Sequence, residues 1–205
     1  MPARLLLNVR RFSIVVTGTP GTGKTTLCRK VSEIMGWVHM DLGEFVIRKR
    51  LHLGYDRSRM SYIVDLARTK RQIVDILKSG EGTYLLDGCF SHLVAPLRNT
   101  LGVVVLRTNP IKLLERLSKK PKRKALENAQ AEALDVVLIE SLTRFGKVYE
   151  IDTTDKLVDE VVDEFLRAYD SGFPPKFGVT NWLQELHDDG NFDKIFGRVA
   201  CERRT

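Results

Sequence analysis

The chain has 205 residues, of which 43% are hydrophobic, so it is long enough to bury one sizeable core. This composition excludes a disordered chain and predicts one main domain. Its 33 Lys and Arg against 26 Asp and Glu give a formal net charge of +7, which favours polyanionic partners such as nucleotides or RNA without choosing between them.

The three cysteines, Cys28, Cys89 and Cys201, are odd in number and show no CxxC spacing. We therefore predict neither a disulfide framework nor a zinc site, and a reducing cytoplasm as the location. The first 16 residues, MPARLLLNVRRFSIVV, contain too short an apolar run for a secretory signal. No stretch reaches the roughly 18 apolar residues of a membrane span, so no membrane association is expected.

Apolar β-branched runs alternate with helical patterns along the chain. The runs predict strands at 14–16, 37–42, 84–87, 103–106 and 148–151. The periodic segments predict helices at 24–35, 44–51, 61–77, 111–117, 125–142 and 155–169. Alternation of this kind requires crossover connections, and it predicts an α/β three-layer fold with a five-stranded parallel sheet.

Two segments exceed this minimal repeat. About 40 residues separate the second and third strands, far more than the 2 to 6 residues of an ordinary connection, and they predict an inserted subdomain at 43–79. The main domain is predicted to span 1–169. The tail at 170–205 begins with the helix-breaking stretch SGFPPKFG and contains several aromatic residues, Trp182 among them. We expect this C-terminal extension either to pack back on the core or to bind a protein partner.

The strongest motif is GTPGTGKTT at 18–26, which satisfies GxxxxGK[ST] between a predicted strand and a predicted helix. Its glycines allow backbone N–H groups to point at phosphate oxygens, and the helix presents its positive end to the same charge. Lys24 is predicted to reach the β and γ phosphates of ATP, and Thr25 to bind Mg²⁺. The predicted ATP contacts of this loop are Gly21, Thr22, Gly23, Lys24, Thr25 and Thr26. The alternative is an ordinary glycine-rich turn.

A carboxylate at the end of a neighbouring strand commonly holds the magnesium of such a site. Asp87, in YLLDG, has this position, and we predict that it binds Mg²⁺ together with Thr25. The alternative is a turn residue, because Asp-Gly pairs are frequent in turns.

In its motifs the chain resembles the nucleoside monophosphate kinases, and among them the CINAP family, which comprises adenylate kinase isoenzyme six and its archaeal and fungal relatives. The motifs are GTPGTGKTT at 18–26, GYD at 54–56, LLDGCFSHL at 85–93, VVLRTNP at 104–110, LLERL at 113–117 and ENAQAE at 127–132. The resemblance implies a P-loop core with an AMP-binding insertion and a short lid. It also implies magnesium-dependent adenylate kinase and ATPase activity, and a role in maturing the small ribosomal subunit through a ribosomal protein or pre-ribosomal RNA.

Two departures from the family pattern affect the expected chemistry. The family usually has a histidine two residues after the acidic residue, where this chain has Cys89; His92 is a candidate substitute, although an exposed loop histidine is the alternative. The AMP site is expected to involve Gly43, Arg48 and Asp65, but Arg48 is displaced by one position from the usual arginine. On a helix that shift rotates the side chain by about 100°, and a surface basic cluster is the alternative.

Phosphoryl transfer needs cations that close over the transferring group. We predict that Arg107, at the end of the VVLR strand, stacks on the bound nucleotide, and that Arg116 and Arg123 act in catalysis with Lys24 and Asp87. The basic run KKPKRK lies within a predicted lid at 118–126. Its alternatives are a solvated loop and an RNA contact.

Three functions remain open from the sequence. The first is a magnesium-dependent kinase that transfers the γ-phosphate of ATP to AMP, with ATP hydrolysis as a second activity. The second is a nucleotide-gated assembly factor that binds a ribosomal protein or rRNA. The third is another small-molecule kinase with the same loop, of the shikimate or cytidylate type.

Overall fold

The structure is a computed structural model that describes residues 12–197. Seven strands are present in this range: β1 (Phe12–Gly18), β2 (Val38–Asp41), β3 (His52–Asp56), β4 (Ser61–Val64), β5 (Thr83–Asp87), β6 (Thr100–Arg107) and β7 (Tyr149–Asp152). The helices are α1 (Lys24–Met35), α2 (Leu42–Arg48), α3 (Leu66–Ser79), α4 (Ser91–Val94), α5 (Pro110–Arg116), α6 (Lys122–Ala133), α7 (Val136–Phe145), α8 (Val158–Asp170), α9 (Trp182–Asp188) and α10 (Phe192–Phe196).

Five of the strands form a parallel sheet in the order β2-β5-β1-β6-β7. Helices α1 and α8 cover one face, where Ile14 and Val16 are buried, and α2, α3 and α7 cover the other, where Val15 is buried. The predicted three-layer α/β fold is confirmed. Because every strand of this sheet runs the same way, the carboxyl ends of all five strands meet at one edge, which is where ligands bind in such folds.

The segment predicted as an insertion, 43–79, differs from the predicted pair of helices. Residues 61–64 form strand β4, which pairs antiparallel with β3, and helix α3 begins only at Leu66. The sequence of β4, SYIV, is β-branched and aromatic, and its Tyr62 ring packs on that of Tyr55 with centroids 5.1 Å apart. Asp65 caps α3 by accepting a hydrogen bond from the N–H of Arg68 at 2.9 Å.

The long helix predicted at 125–142 is two helices, α6 and α7. Asp135 separates them in the left-handed conformation, with φ of 55°. At this break Arg107, from β6, binds the carboxylates of Glu132 and Asp135. The sequence pattern is helical throughout, and the ion pairs that accompany the break come from a distant part of the chain. The basic run predicted as a lid spans the short turn between α5 and α6 and the start of α6.

The described part of the tail packs back on the domain. Trp182 and Leu186 of α9 and Ile195 of α10 form a buried cluster with Ala129 and Ala133 of α6. Of the two expectations for the extension, packing on the core is confirmed for residues up to 197. The expectations for the first 11 residues, for Cys201 and for the rest of the tail lie outside the described residues. Between residues 12 and 197, no helix combines the length and apolar character needed to cross a membrane.

Candidate functional site

The GTPGTGKTT loop connects β1 to α1 at the carboxyl edge of the sheet. Gly18, Gly21 and Gly23 all have positive φ, and a Cβ on Gly18 would lie 2.4 Å from the carbonyl oxygen of Leu106. Only glycine fits there without a shift of the backbone. No side chain caps the N-terminus of α1, so the first N–H groups of this helix are left for an anion.

Lys24 lies across this loop. Its side chain is buried, and its ammonium donates a hydrogen bond to the carbonyl oxygen of Thr19 at 2.9 Å. Burial lowers the pKa of Lys24, while negative charge nearby, including that of Asp87, opposes the change. A phosphate at the loop would therefore supply the counter-charge that this ammonium needs, in place of a neutral carbonyl.

Asp87 ends β5, the strand directly beside β1. Its side chain is buried, and its Oδ2 atom lies 3.0 Å from Nε2 of His39, which comes from β2. Asp87 and the hydroxyl of Thr25, at the start of α1, are hard oxygen donors from two adjacent elements. This donor set fits Mg²⁺, which would neutralise phosphate charge when bound.

A cavity of about 350 Å³ opens on one side of the loop, between the end of β6 and the start of α8. Leu27, Leu106 and Val161 supply apolar groups to its lining, and Arg116 and Lys156 supply cations. The guanidinium of Arg116 donates to the carbonyl oxygen of Thr153 at 2.7 Å, which fixes its plane. An apolar slot with an oriented guanidinium suits a planar base and a charged ligand.

A second cavity, of about 320 Å³, opens between β2 and α2. Arg29, His39 and Arg48 supply positive or titratable groups to its lining, and Asp41 and Glu44 supply carboxylates. Arg48 thus lines a cavity together with His39, the hydrogen-bond partner of Asp87, despite its displaced position in the sequence. Sequence reasoning missed Arg29 and His39, because neither belongs to a motif and only the sheet order brings them to this edge.

The other two residues expected at the AMP site lie differently. Gly43 is exposed in α2, next to the cavity that Arg48 lines. Asp65 is the cap of α3, where its Oδ1 atom accepts a hydrogen bond from the N–H of Arg68, and its place in an AMP site stays a prediction. Arg123 is an exposed residue of α6 that pairs with Glu127 at 3.0 Å.

Arg107 is not on the surface of either cavity. It is 1% exposed, and its guanidinium binds Glu132 at 2.7 Å, Glu150 at 2.6 Å, and Asp135. Burial acts to lower the pKa of Arg107, but the charge and hydrogen bond of Glu132, with the other carboxylates, raise it above its ordinary range. Stacking on a nucleotide is therefore wrong for Arg107, because its buried guanidinium is bound by three carboxylates and lies over the ring of Trp182.

Glu132 connects the phosphate loop to the tail. Its carboxylate accepts hydrogen bonds from Thr19 Oγ1 at 2.5 Å, from Arg107 Nε at 2.7 Å and from Trp182 Nε1 at 3.3 Å. The motif ENAQAE contains this residue, but no local pattern identifies its partners, which come from three other elements. Glu132 thus holds Thr19 of the phosphate loop in place through a buried hydrogen bond.

Cys89 and His92, the two residues considered for ATP hydrolysis, lie in different environments. Cys89 is exposed just beyond Asp87. His92 is fully buried in α4, with Nδ1 2.9 Å from Thr17 Oγ1 and Nε2 3.0 Å from Glu140. Burial lowers the pKa of His92, and Glu140 opposes this. The expected exposed loop histidine is wrong, and both ring nitrogens are occupied by protein groups.

These features define a P-loop kinase-type fold, and solved structures share it. Shikimate kinase from Acinetobacter baumannii matches with a TM-score of 0.55 at 18% identity, over 80% of this chain and 95% of that one. Shikimate kinase from Bacteroides thetaiotaomicron matches with a TM-score of 0.50 at 16% identity, over 78% of this chain and 98% of that one. At this identity the likeness concerns the fold alone.

Sequence relatives identify the family. A family profile described as "AAA domain" matches residues 14–135. A protein named "Putative adenylate kinase" from Methanocaldococcus jannaschii is 41% identical over 178 residues, covering 85% of this chain and 95% of the relative. A protein of the same name from Pyrococcus furiosus is 36% identical, covering 83% and 91%. The chain belongs to this adenylate-kinase-like family of P-loop proteins.

Proposed function

We propose that the protein is a magnesium-dependent adenylate kinase that transfers the γ-phosphate of ATP to AMP. The observation that carries this proposal is the presence of two separate cavities. One is lined by the phosphate loop and Arg116, and the other by Arg48 and by His39, the hydrogen-bond partner of Asp87. A protein that only hydrolyses ATP needs one nucleotide cavity, whereas a kinase needs a donor site and an acceptor site whose reacting groups meet between them.

In this proposal each residue has a defined task. The loop N–H groups and Lys24 hold the ATP phosphates, and Thr25 and Asp87 hold Mg²⁺. Arg116 orients the base and ribose in the apolar cavity. Arg29 and Arg48 bind the phosphate of AMP in the second cavity, where a carboxylate-lined rim leaves room for the ribose hydroxyls.

The defining experiment is a coupled assay of ADP formation with ATP, Mg²⁺ and a panel of acceptors: AMP, CMP, UMP, GMP and shikimate. We expect AMP to be the best acceptor and Lys24→Ala to abolish turnover. Turnover with shikimate alone would favour the third function named above. Absence of product with every acceptor, at a level equal to Lys24→Ala, would reject the kinase proposal.

The acceptor site is tested by a matched pair of variants on α2 and its C-cap. Arg48→Ala removes a guanidinium from the second cavity and is expected to raise KM for AMP at least tenfold, with KM for ATP unchanged. Lys49→Ala removes a neighbouring exposed charge that does not line this cavity and is expected to leave both values unchanged. Equal effects of the two variants would contradict the assignment.

We propose ATP hydrolysis as a weaker, second activity. Cys89 replaces the family histidine, and His92 is buried and paired, so the histidine nearest the magnesium carboxylate is His39. Phosphate release without acceptor is therefore expected to be well below ADP formation with AMP. Phosphate release that equals the transfer rate would contradict this ranking.

A nucleotide-gated role in maturing the small ribosomal subunit, as in the CINAP family, is the second candidate function. The net charge of +7 and the exposed basic run that contains Arg123 favour contact with a polyanion such as pre-ribosomal RNA. Co-sedimentation with purified small subunits, in the presence of ATP or ADP, tests this candidate. Loss of binding on neutralising the basic run would support it.

We propose the cytoplasm as the location.

A further inference from the structure

Three side chains with different donor atoms converge beneath the phosphate loop. Cys28 comes from α1, His39 from β2 and Asp87 from the end of β5. The thiol sulfur, an imidazole nitrogen and a carboxylate oxygen all lie within 4.8 Å of one another. His39 Nε2 and Asp87 Oδ2 are already 3.0 Å apart.

The distances are close to those of a tetrahedral metal centre. Zinc bonds of about 2.0–2.1 Å to nitrogen and oxygen and about 2.3 Å to sulfur place neighbouring ligand atoms roughly 3.3–3.6 Å apart. The pair formed by His39 and Asp87 needs almost no change. The sulfur of Cys28 needs a movement of up to roughly 1.2–1.5 Å, which a side-chain rotation of His39 can share, since His39 lies on the edge strand β2.

The donor set distinguishes between metals. Mg²⁺ prefers oxygen ligands and takes Asp87 with Thr25 and phosphate oxygens. A thiolate with an imidazole favours a softer divalent ion such as Zn²⁺, and three protein ligands leave a fourth position open. Both ions would use Asp87, so zinc bound to this carboxylate would compete with magnesium for it.

Burial also means that a metal ion has to compete with the proton of the Cys28 thiol. Cys28 and Asp87 are buried, and burial raises the pKa of the Cys28 thiol, so the metal must displace a proton from sulfur. His39 keeps 17% of its side chain exposed and faces the cavity that Arg48 lines, which gives an ion a route from solvent.

We propose that Cys28, His39 and Asp87 form a zinc site that withdraws Asp87 from magnesium and so inhibits the enzyme. The inhibition rests on the proposed kinase function, whereas the binding of zinc does not. The competing account is a packed core thiol beside an ordinary His-Asp hydrogen bond, which predicts no specific zinc binding.

Binding is tested with Co²⁺ as a spectroscopic substitute for Zn²⁺, added to the full-length protein without nucleotide. We expect a thiolate-to-cobalt charge-transfer band that saturates at one ion per chain and is removed by one equivalent of Zn²⁺. The double variant Cys89→Ser/Cys201→Ser is the matched control, because it removes the other two thiols and leaves the site intact. It is expected to keep the band, and Cys28→Ser to lose it.

His39→Gln provides an independent test on a partly exposed position, should Cys28→Ser fold poorly. It is expected to weaken Co²⁺ binding at least tenfold. The zinc site is overturned if the wild type shows no band at stoichiometric Co²⁺, if the band is lost in the double variant, or if His39→Gln binds Co²⁺ as tightly as the wild type.

Inhibition is tested in the coupled assay with excess Mg²⁺ and ATP. Zn²⁺ is expected to inhibit the wild type, and Cys28→Ser to need at least ten times more Zn²⁺ for half inhibition while keeping its magnesium-dependent rate. Equal inhibition of both proteins would overturn the regulatory role. If the protein proves to have no kinase activity, the cobalt titration still decides whether the site exists.

Discussion

Replacing Arg107 with methionine tests the corrected role of this arginine. In the wild type its guanidinium lies between the carboxylates of Glu132 and Glu150, which are 2% and 0% exposed. Removing the cation leaves both negative charges buried without compensation, a change that costs about 3–5 kcal/mol. Glu132 keeps donors from Thr19 and Trp182, so we expect the lower end, about 3 kcal/mol in the free energy of unfolding.

The measurement is urea unfolding followed by circular dichroism, with thermal melting as a second readout. For a chain of this size about 3 kcal/mol corresponds to a fall in Tm of roughly 6–12 °C. Arg123→Met is the control, because it removes an arginine with a single exposed partner and should change stability by less than about 1 kcal/mol. Glu132→Gln added to Arg107→Met should recover part of the loss, since it removes one uncompensated charge.

The two roles considered for Arg107 give opposite results. If the guanidinium stacked on a nucleotide, Arg107→Met would weaken ATP binding and leave unfolding unchanged. A wild-type free energy of unfolding in Arg107→Met, together with weakened ATP binding, would refute the buried ion-pair assignment.

Three further predictions concern the loop, the base cavity and the partly buried ion pairs of Glu164. Gly18→Ala places a Cβ 2.4 Å from a backbone oxygen and should abolish ATP binding measured by calorimetry, whereas Gly190→Ala, with positive φ but open space, should leave ATP binding unchanged. Arg116→Met should raise KM for ATP about tenfold in steady-state assays, because the oriented cation at the base cavity is lost. Burial acts to raise the pKa of Glu164, but hydrogen bonds from Lys156 and Lys176 lower it below its ordinary value of 4.5. Because the folded-state pKa is depressed, its stabilisation is present above about pH 4.5 and is lost as pH falls through the lower folded value. Glu164→Gln should therefore destabilise the protein at pH 7 but not in acid, and a pH-independent difference in chemical unfolding would contradict this.

Much of the fold could be read from the sequence because its signals are local. The buried run at 14–16, the glycines that follow it and the helix from Lys24 specify a strand, a tight loop and a helix through short-range sterics and hydrogen bonding. Strand β4 was missed because SYIV adjoins a strongly helical segment, and its pairing with β3 depends on residues beyond its own pattern.

The sequence by itself determined the phosphate loop, the parallel α/β core and the position of Asp87 at a strand end, because each follows from contiguous residues. Tertiary structure alone decided what the isolated polar residues do. From the sequence, Arg107 at the end of its strand reads as a cation available to a ligand. In the fold it is surrounded by three carboxylates from segments distant in the chain. Likewise Cys28, His39 and Asp87 are separated along the chain, and only the sheet order β2-β5-β1 with α1 above it brings their donor atoms together. Charge pairing and ligand geometry act through space, so they depend on the packed fold rather than on spacing along the chain.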